Sequence, residues 1–220
     1  MRNLKQEWKL LLGSWNVGPA AQLEHARRYT ARHPQGFEGW IAKADALWML
    51  TRFKEAKSAL RVAQRLIPED RRAELWEQWG YLYRRMNDFK RAEQAFRRAV
   101  QERPSTRRYI LLGATLARQG KLAAAERQHR AAIREATPRE PIDEAHLNLA
   151  LVLRANERYE EAIKSLRAAL RISPQYEEAS EVLRDVRRAK ALRVPKKPLQ
   201  PNHRTRKKAT PMAQSRRARR

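Results

Sequence analysis

Clusters of lysine and arginine near the carboxyl end are the residues best suited to a chemical role. Residues 190–220 contain twelve Lys or Arg and no Asp or Glu. Such clusters bind phosphate backbones by releasing counterions, with steep salt dependence and little sequence preference. No aromatic side chain lies among them, which argues against base stacking; the alternative is a solubilising segment without a dedicated partner. The candidate polyanion-binding residues are Lys196, Lys197, Arg206, Lys207, Lys208, Arg216, Arg217, Arg219 and Arg220.

The sequence lacks the residue patterns that catalysis requires. It contains no cysteine, which excludes disulfides, thiolate catalysis and cysteine-ligated zinc. It has no glycine-rich phosphate loop and no nucleophile elbow. Carboxylates mostly lie beside basic residues at helix-surface spacing, as in Arg158-Tyr159-Glu160-Glu161. We therefore expect no enzymatic activity, no cofactor and no metal site.

The charge of the chain points to an anionic partner. Its 220 residues carry a formal net charge of +25, which favours nucleic acid, an acidic protein or an anionic membrane. The longest apolar run near the start, Leu10–Leu12, is too short for a signal sequence or a membrane span. No acylation site or apolar helix face accompanies the basic clusters. We expect a cytoplasmic location and no membrane insertion.

Pairs of amphipathic helices must position any binding residues in the body of the chain. Within residues 73–104, apolar residues recur three and four apart, which predicts one buried stripe on each of two helices. Asn87 and Asp88 supply a turn between them. Gly80 and Ala92 are small enough for the two helices to cross closely. The pattern predicts a helical hairpin.

Eight residues carry this pattern, at places 4, 7, 8, 11, 20, 24, 27 and 32 of one repeat unit: Trp76, Trp79, Gly80, Tyr83, Ala92, Phe96, Ala99 and Pro104. The set resembles a tetratricopeptide (TPR) repeat. Similar patterns predict four repeats, over residues 37–68, 73–104, 106–137 and 143–174. The fold expected from the resemblance is an all-α, right-handed superhelical solenoid of antiparallel helix pairs.

The flanks of the repeats depart from the pattern. Residues 1–34 contain two helical segments with different spacing and are interpreted as a divergent N-terminal helix pair. Residues 175–192 carry one narrow apolar stripe on an otherwise polar helix, which predicts a C-terminal capping helix. Residues 193–220 are basic, contain several prolines and have almost no large apolar side chains. A disordered tail is expected there.

The resemblance also implies a binding surface. The first helix of each TPR pair faces the concave side, where places 2, 5, 9, 12 and 13 line a groove. This places an apolar lane beside a row of arginines, suited to an extended or helical segment with acidic and apolar residues. The alternative is a solvated face whose arginines pair with Glu74, Glu77 or Asp45. The candidate groove residues are Asp45, Trp48, Met49, Tyr81, Arg84, Arg85, Ala114, Arg118, Leu151 and Arg154.

Two histidines fall at family places that meet between stacked hairpins. His129 and His146 are interpreted either as a metal pair or pH switch, or as core residues with local hydrogen bonds. The second interpretation is favoured because two ligands without a third make a poor metal site. In one TPR subclass, Lys, Asn and Arg residues grip the C-terminal carboxylate of chaperones. Neither register of that pattern matches this chain, so such a clamp is not expected.

The function predicted from these features is that of a non-catalytic scaffold or adaptor. The concave groove would bind a peptide or protein segment, and the basic tail would add electrostatic contacts to an acidic partner. One alternative is an RNA-, ribosome- or DNA-associated protein that uses the tail and the basic third repeat. A second alternative is an accessory subunit that docks to an enzyme.

Overall fold

The computed structural model describes residues 18–137, 140 and 142–193, and all regular structure in these ranges is helical. A single 3₁₀ turn at Glu69–Arg71 lies between the third and fourth α-helices. The predicted all-α class is confirmed. The helices are α1 Pro19–Arg32, α2 Phe37–Met49, α3 Phe53–Leu66, α4 Arg72–Arg85, α5 Phe89–Glu102, α6 Thr106–Arg118, α7 Leu122–Arg134, α8 Asp143–Ala155, α9 Tyr159–Ile172 and α10 Glu177–Arg193.

Close contact between a glycine and a ring holds two of the helix pairs together. Gly80 of α4 faces Phe96 of α5, and a Cβ atom at Gly80 would lie 2.4 Å from that ring. Phe96 is fully buried, so the missing side chain on α4 provides the space that the ring fills. Helices α6 and α7 repeat the arrangement with Gly113 against the His129 ring.

The same turn joins the two helices of four successive pairs. Each turn contains one residue with a left-handed backbone, which ends the first helix. In the pair α4–α5, the amide of Asp88 donates to the carbonyl oxygen of Tyr83 at 2.9 Å. Glycine adopts this backbone without strain, and it occupies the position in one turn. The four left-handed residues are Thr51, Asn87, Gly120 and Glu157, with φ of 61°, 59°, 73° and 60°.

Stacking of neighbouring pairs produces the apolar core. Leu60 of α3 and Leu75 of α4 belong to one buried cluster, which crosses from one pair to the next. At the other end, Leu183 and Val186 of α10 pack with Leu166 of α9. Helix α10 therefore caps the described stack, as predicted. All extensive contacts join helices one or two places apart, as in solenoid proteins.

The junction between α3 and α4 differs from the others. It contains the 3₁₀ turn at Glu69–Arg71, and α3 and α4 contact each other less than any other consecutive helices in the described part of the chain. Helix α1 packs on α2 through Leu23, Ala26 and Tyr29. The predicted helix in residues 1–17 and the predicted disordered tail beyond residue 193 lie outside the described residues.

Candidate functional site

The first helices of the pairs line a cleft of about 560 Å³, here called the central cleft. Four of the predicted groove residues meet there: Arg84 of α4, Ala114 and Arg118 of α6, and Leu151 of α8. The repeat spacing brings them together because every first helix presents the same face to the same side of the stack. The other residues that line the cleft are Asn87, Phe89, Ala117, Leu122, His129, Asn148, Val152 and Ala155.

An aromatic wall extends the cleft toward α2. The rings of Trp48 and Tyr81 stack with their centroids 6.2 Å apart and an interplanar angle of 18°. Phe96 meets the edge of Tyr81 at 5.7 Å and fixes its orientation. The guanidinium carbon of Arg84 lies 5.3 Å from the centroid of Tyr81. Arg84 therefore belongs both to the wall and to the central cleft.

Asp45 lies beneath this surface rather than on it. The residue is 6% exposed, and its carboxylate accepts a hydrogen bond of 3.2 Å from the side-chain amide of Gln22 on α1. Burial raises the pKa of Asp45, and the hydrogen bond from Gln22 opposes that rise. A partner in the groove would therefore not meet Asp45 as an open carboxylate.

The carboxylates that could have neutralised the groove have other partners. Glu74 binds Arg71 through its side chain at 2.6 Å. Glu77 lies 2.6 Å from Nε of Arg108 in a contact that is an ion pair rather than a well-aligned hydrogen bond. Asp45 is held by Gln22. These acids therefore leave the predicted arginines of the groove unpaired.

The arginines themselves form no ion pair with any described residue. Arg118 covers the ring of Phe89, with the guanidinium carbon 5.5 Å from the centroid, as Arg84 covers Tyr81. Stacking on an aromatic ring leaves the edge N–H groups of a guanidinium free to donate. Arg85 and Arg154 are exposed on α4 and α8 but do not line the central cleft. Met49 is partly buried at the end of α2 and also lies outside the cleft.

The two histidines take different roles in the structure. His129 is 1% exposed, and neither ring nitrogen has a hydrogen-bond partner among the described residues. Burial lowers its pKa to about 4. His146 instead contacts the hydroxyl of Ser165 at 3.3 Å, and its pKa is lowered by burial and then by the charge of Arg171. No cluster of three or more potential metal ligands occurs in the described part of the chain.

Sequence reasoning missed several residues of the central cleft. Phe89 and Leu122 begin the second helices of their pairs, and Asn148 lies beside Leu151 on α8. The groove places of the first helices do not include them, although the recurrence of an apolar residue at the start of each second helix was a usable signal. The predicted polyanion-binding residues of the tail lie outside the described residues. No described helix has the length and apolar character needed to cross a membrane.

Comparisons with known proteins agree with this architecture. Tetratricopeptide repeat family models match residues 73–106 and 110–177. No curated protein matches the chain. Among solved structures, the TPR protein YrrB, described as having an unusual peptide-binding site, is 22% identical with a TM-score of 0.60, over 79% of this chain and 87% of that one.

Two further structures share the fold. One is a chain from the APC/C hetero-tetramer Cut9-Hcn1, which is 16% identical with a TM-score of 0.65. The match covers 78% of this chain but only 34% of that one. The first TPR domain of Spaghetti (RPAP3), bound to the HSP90 peptide SRMEEVD, is 21% identical with a TM-score of 0.51, over 54% of this chain and 93% of that domain. The repeat models identify residues 73–106 and 110–177 as tetratricopeptide repeats, and the helix pairs and these likenesses show that the chain has the tetratricopeptide repeat fold.

Proposed function

We propose that the protein is a non-catalytic adaptor that binds a protein segment with acidic and apolar side chains in the central cleft. The observation that carries this proposal is the placement of Arg84 and Arg118, unpaired with any described residue, beside the apolar residues Ala114 and Leu151. Guanidinium groups bind carboxylates through paired N–H donors, and the apolar floor favours an aliphatic or aromatic side chain next to them.

The remaining groups of the cleft suit a peptide backbone. The amide of Asn148 can both donate and accept, as the unpaired N–H and C=O groups of an extended backbone require. The peptide bound to the RPAP3 domain contains acidic residues beside Met and Val, and YrrB also has a peptide-binding site. These likenesses support a peptide or protein segment as the partner, and the arginines of the central cleft support a partner with acidic residues.

Selection from a random twelve-residue peptide library on the full chain tests the proposal. We expect the enriched peptides to combine Asp or Glu with a large apolar residue, and one of them serves as the fluorescent probe for affinity. Replacing Arg84 and Arg118 together with Gln removes two charge-assisted hydrogen bonds. Because both arginines are at least partly exposed, each pair is worth about 1 kcal/mol, so the loss should be about 2 kcal/mol, or roughly thirtyfold in Kd.

The matched control replaces Arg61 and Arg65 of α3 with Gln. Both are exposed and lie outside the central cleft, so this variant loses the same charge on another surface. Its Kd should stay within about twofold of that of the parent, because the lost charges lie outside the binding surface and act on the peptide only at long range. Enriched peptides without acidic residues, or equal losses in the two variants, would refute binding through the arginines of the cleft.

A further inference from the structure

A second cleft lies on the opposite side of α8 from the central cleft. It also measures about 560 Å³, is bounded by α7 and α9, and is here called the outer cleft. His146, Leu149 and Leu153 of α8 line it. At 100° per residue they lie on the helix face opposite to that of Asn148 and Leu151. A ligand in the outer cleft would therefore not compete for space with one in the central cleft.

Both helices that flank the outer cleft present a stripe of cations. On each helix, three basic residues are spaced three and four apart, so they share one face. All six are exposed, on the side away from the buried Ala125 of α7 and Ala162 of α9. The stripes are Arg127, Arg130 and Arg134 on α7, and Lys164, Arg167 and Arg171 on α9.

Most of this charge is not neutralised by neighbouring carboxylates. Arg130 pairs with Glu126 at 2.9 Å, and Arg134 pairs with Glu135 at 3.0 Å. The other four cations, here called the outer-face cations, have no ion-pair partner among the described residues. They are Arg127, Lys164, Arg167 and Arg171.

The composition of this surface favours nucleic acid over protein. Among the described residues, the exposed large apolar side chains are Ile172 and Leu192. The apolar part of the outer face is therefore recessed in the outer cleft and does not form the exposed apolar centre of a protein interface. A phosphate backbone carries one charge per nucleotide without interruption, which suits the row of unpaired cations on α9, Lys164, Arg167 and Arg171, with Arg127 of α7 nearby. A protein segment would need an equally long acidic run.

The floor of the outer cleft favours a single strand over a duplex. Ile133, Leu149, Leu153 and Ala168 form the apolar floor of the cleft, with Arg130 and Arg134 on one edge and Lys164 and Arg171 on the other. Glu161 also lines the cleft, and its carboxylate is paired with Arg158 and Arg130. An unpaired strand can turn a base into such a space while its phosphates stay on the edges, whereas a duplex would first have to break a base pair. We propose that the outer face of α7 and α9 binds single-stranded nucleic acid, with phosphates on the outer-face cations and a base in the outer cleft.

Fluorescence anisotropy with a labelled 20-nucleotide single strand of mixed sequence tests this inference on the full chain. In the test variant, all four outer-face cations are replaced by Gln. We expect at least about tenfold weaker binding at 150 mM salt, and a slope of log K against log salt that is smaller by about 3. A second variant exchanges the two basic residue types, with Lys at 127, 167 and 171 and Arg at 164. It keeps the charge and should preserve binding.

The control variant replaces Lys54, Arg61, Arg65 and Lys90 with Gln, which removes the same charge from the exposed faces of α3 and α5. Its affinity should fall by less than about threefold.

Equal losses in the two Gln variants, or no loss in the test variant, would overturn the inference. Equally tight binding of a duplex would overturn the role of the cleft, and equally tight binding of polyglutamate would favour an acidic protein. The test variant should still bind a peptide selected on the central cleft, which separates this inference from the proposed function.

Discussion

Replacing His129 with Phe should stabilise the protein and remove part of its dependence on pH. His129 occupies the place in its repeat that Phe96 holds in the preceding one, and both rings lie against a glycine of the first helix. Its two ring nitrogens are buried without a hydrogen-bond partner among the described residues. A phenyl ring fills the same space without burying polar atoms, and removing an unsatisfied group is worth about 1–3 kcal/mol.

The size of the pH effect follows from the pKa of His129. Burial lowers this pKa to about 4 in the folded protein, against 6.5 in the unfolded chain. The folded state therefore binds fewer protons than the unfolded chain. Titration of His129 leaves the free energy of unfolding unchanged above pH 6.5 and lowers it as the pH falls from 6.5 toward 4. Integrating between these values gives a loss of about 2 kcal/mol at pH 5.

Urea unfolding at pH 7.5 and pH 5.0 measures both effects. The free energy of unfolding of the parent should fall between these pH values by about 2 kcal/mol more than that of His129→Phe. His146 titrates in both proteins, so its contribution cancels in the comparison. Equal falls in the two proteins would show that the imidazole is hydrated or can accept a proton in place, and would refute the reasoning from burial.

Three further substitutions test the packing of the stack by urea unfolding. Gly80→Ala should cost about 2 kcal/mol because its Cβ would overlap the ring of Phe96; a neutral result would mean that the two helices separate easily. Gly120→Ala meets no atom within 4 Å, so its cost of about 1 kcal/mol should come from φ of 73° alone, and Asn at this position should recover part of it. Glu77→Gln leaves the buried guanidinium of Arg108 without a counter-charge and should cost about 3 kcal/mol, whereas an unchanged free energy would mean that water replaces the carboxylate.

The fold was predictable because the spacing that carries it is local. Gly80 and Phe96 lie within one hairpin, and their close contact follows from helix geometry and repeat length. The apolar stripe through Leu183 and Val186 likewise identified a helix that needs only one neighbour. Such signals depend on which residue type occurs at which place and need no knowledge of side-chain conformation.

The candidate site was predictable in outline only. Repeat spacing predicts that Arg84 and Arg118 share one side of the stack, and both line the central cleft. The burial of Asp45 depends on α1, whose sequence departs from the repeat pattern, so its contact with Gln22 gave no periodic signal. The ion pair between Glu77 and Arg108 joins two repeats through side-chain conformations that spacing does not specify.

The stacking order of the helices has a mechanical consequence. Since extensive contacts join only helices one or two places apart, a force pulling on the two ends of the stack would load its interfaces in series. The central cleft is built from residues between α4 and α8, so a peptide bound there bridges three successive helix pairs. It would therefore strengthen the interfaces between these pairs relative to the junction between α3 and α4, which it does not span.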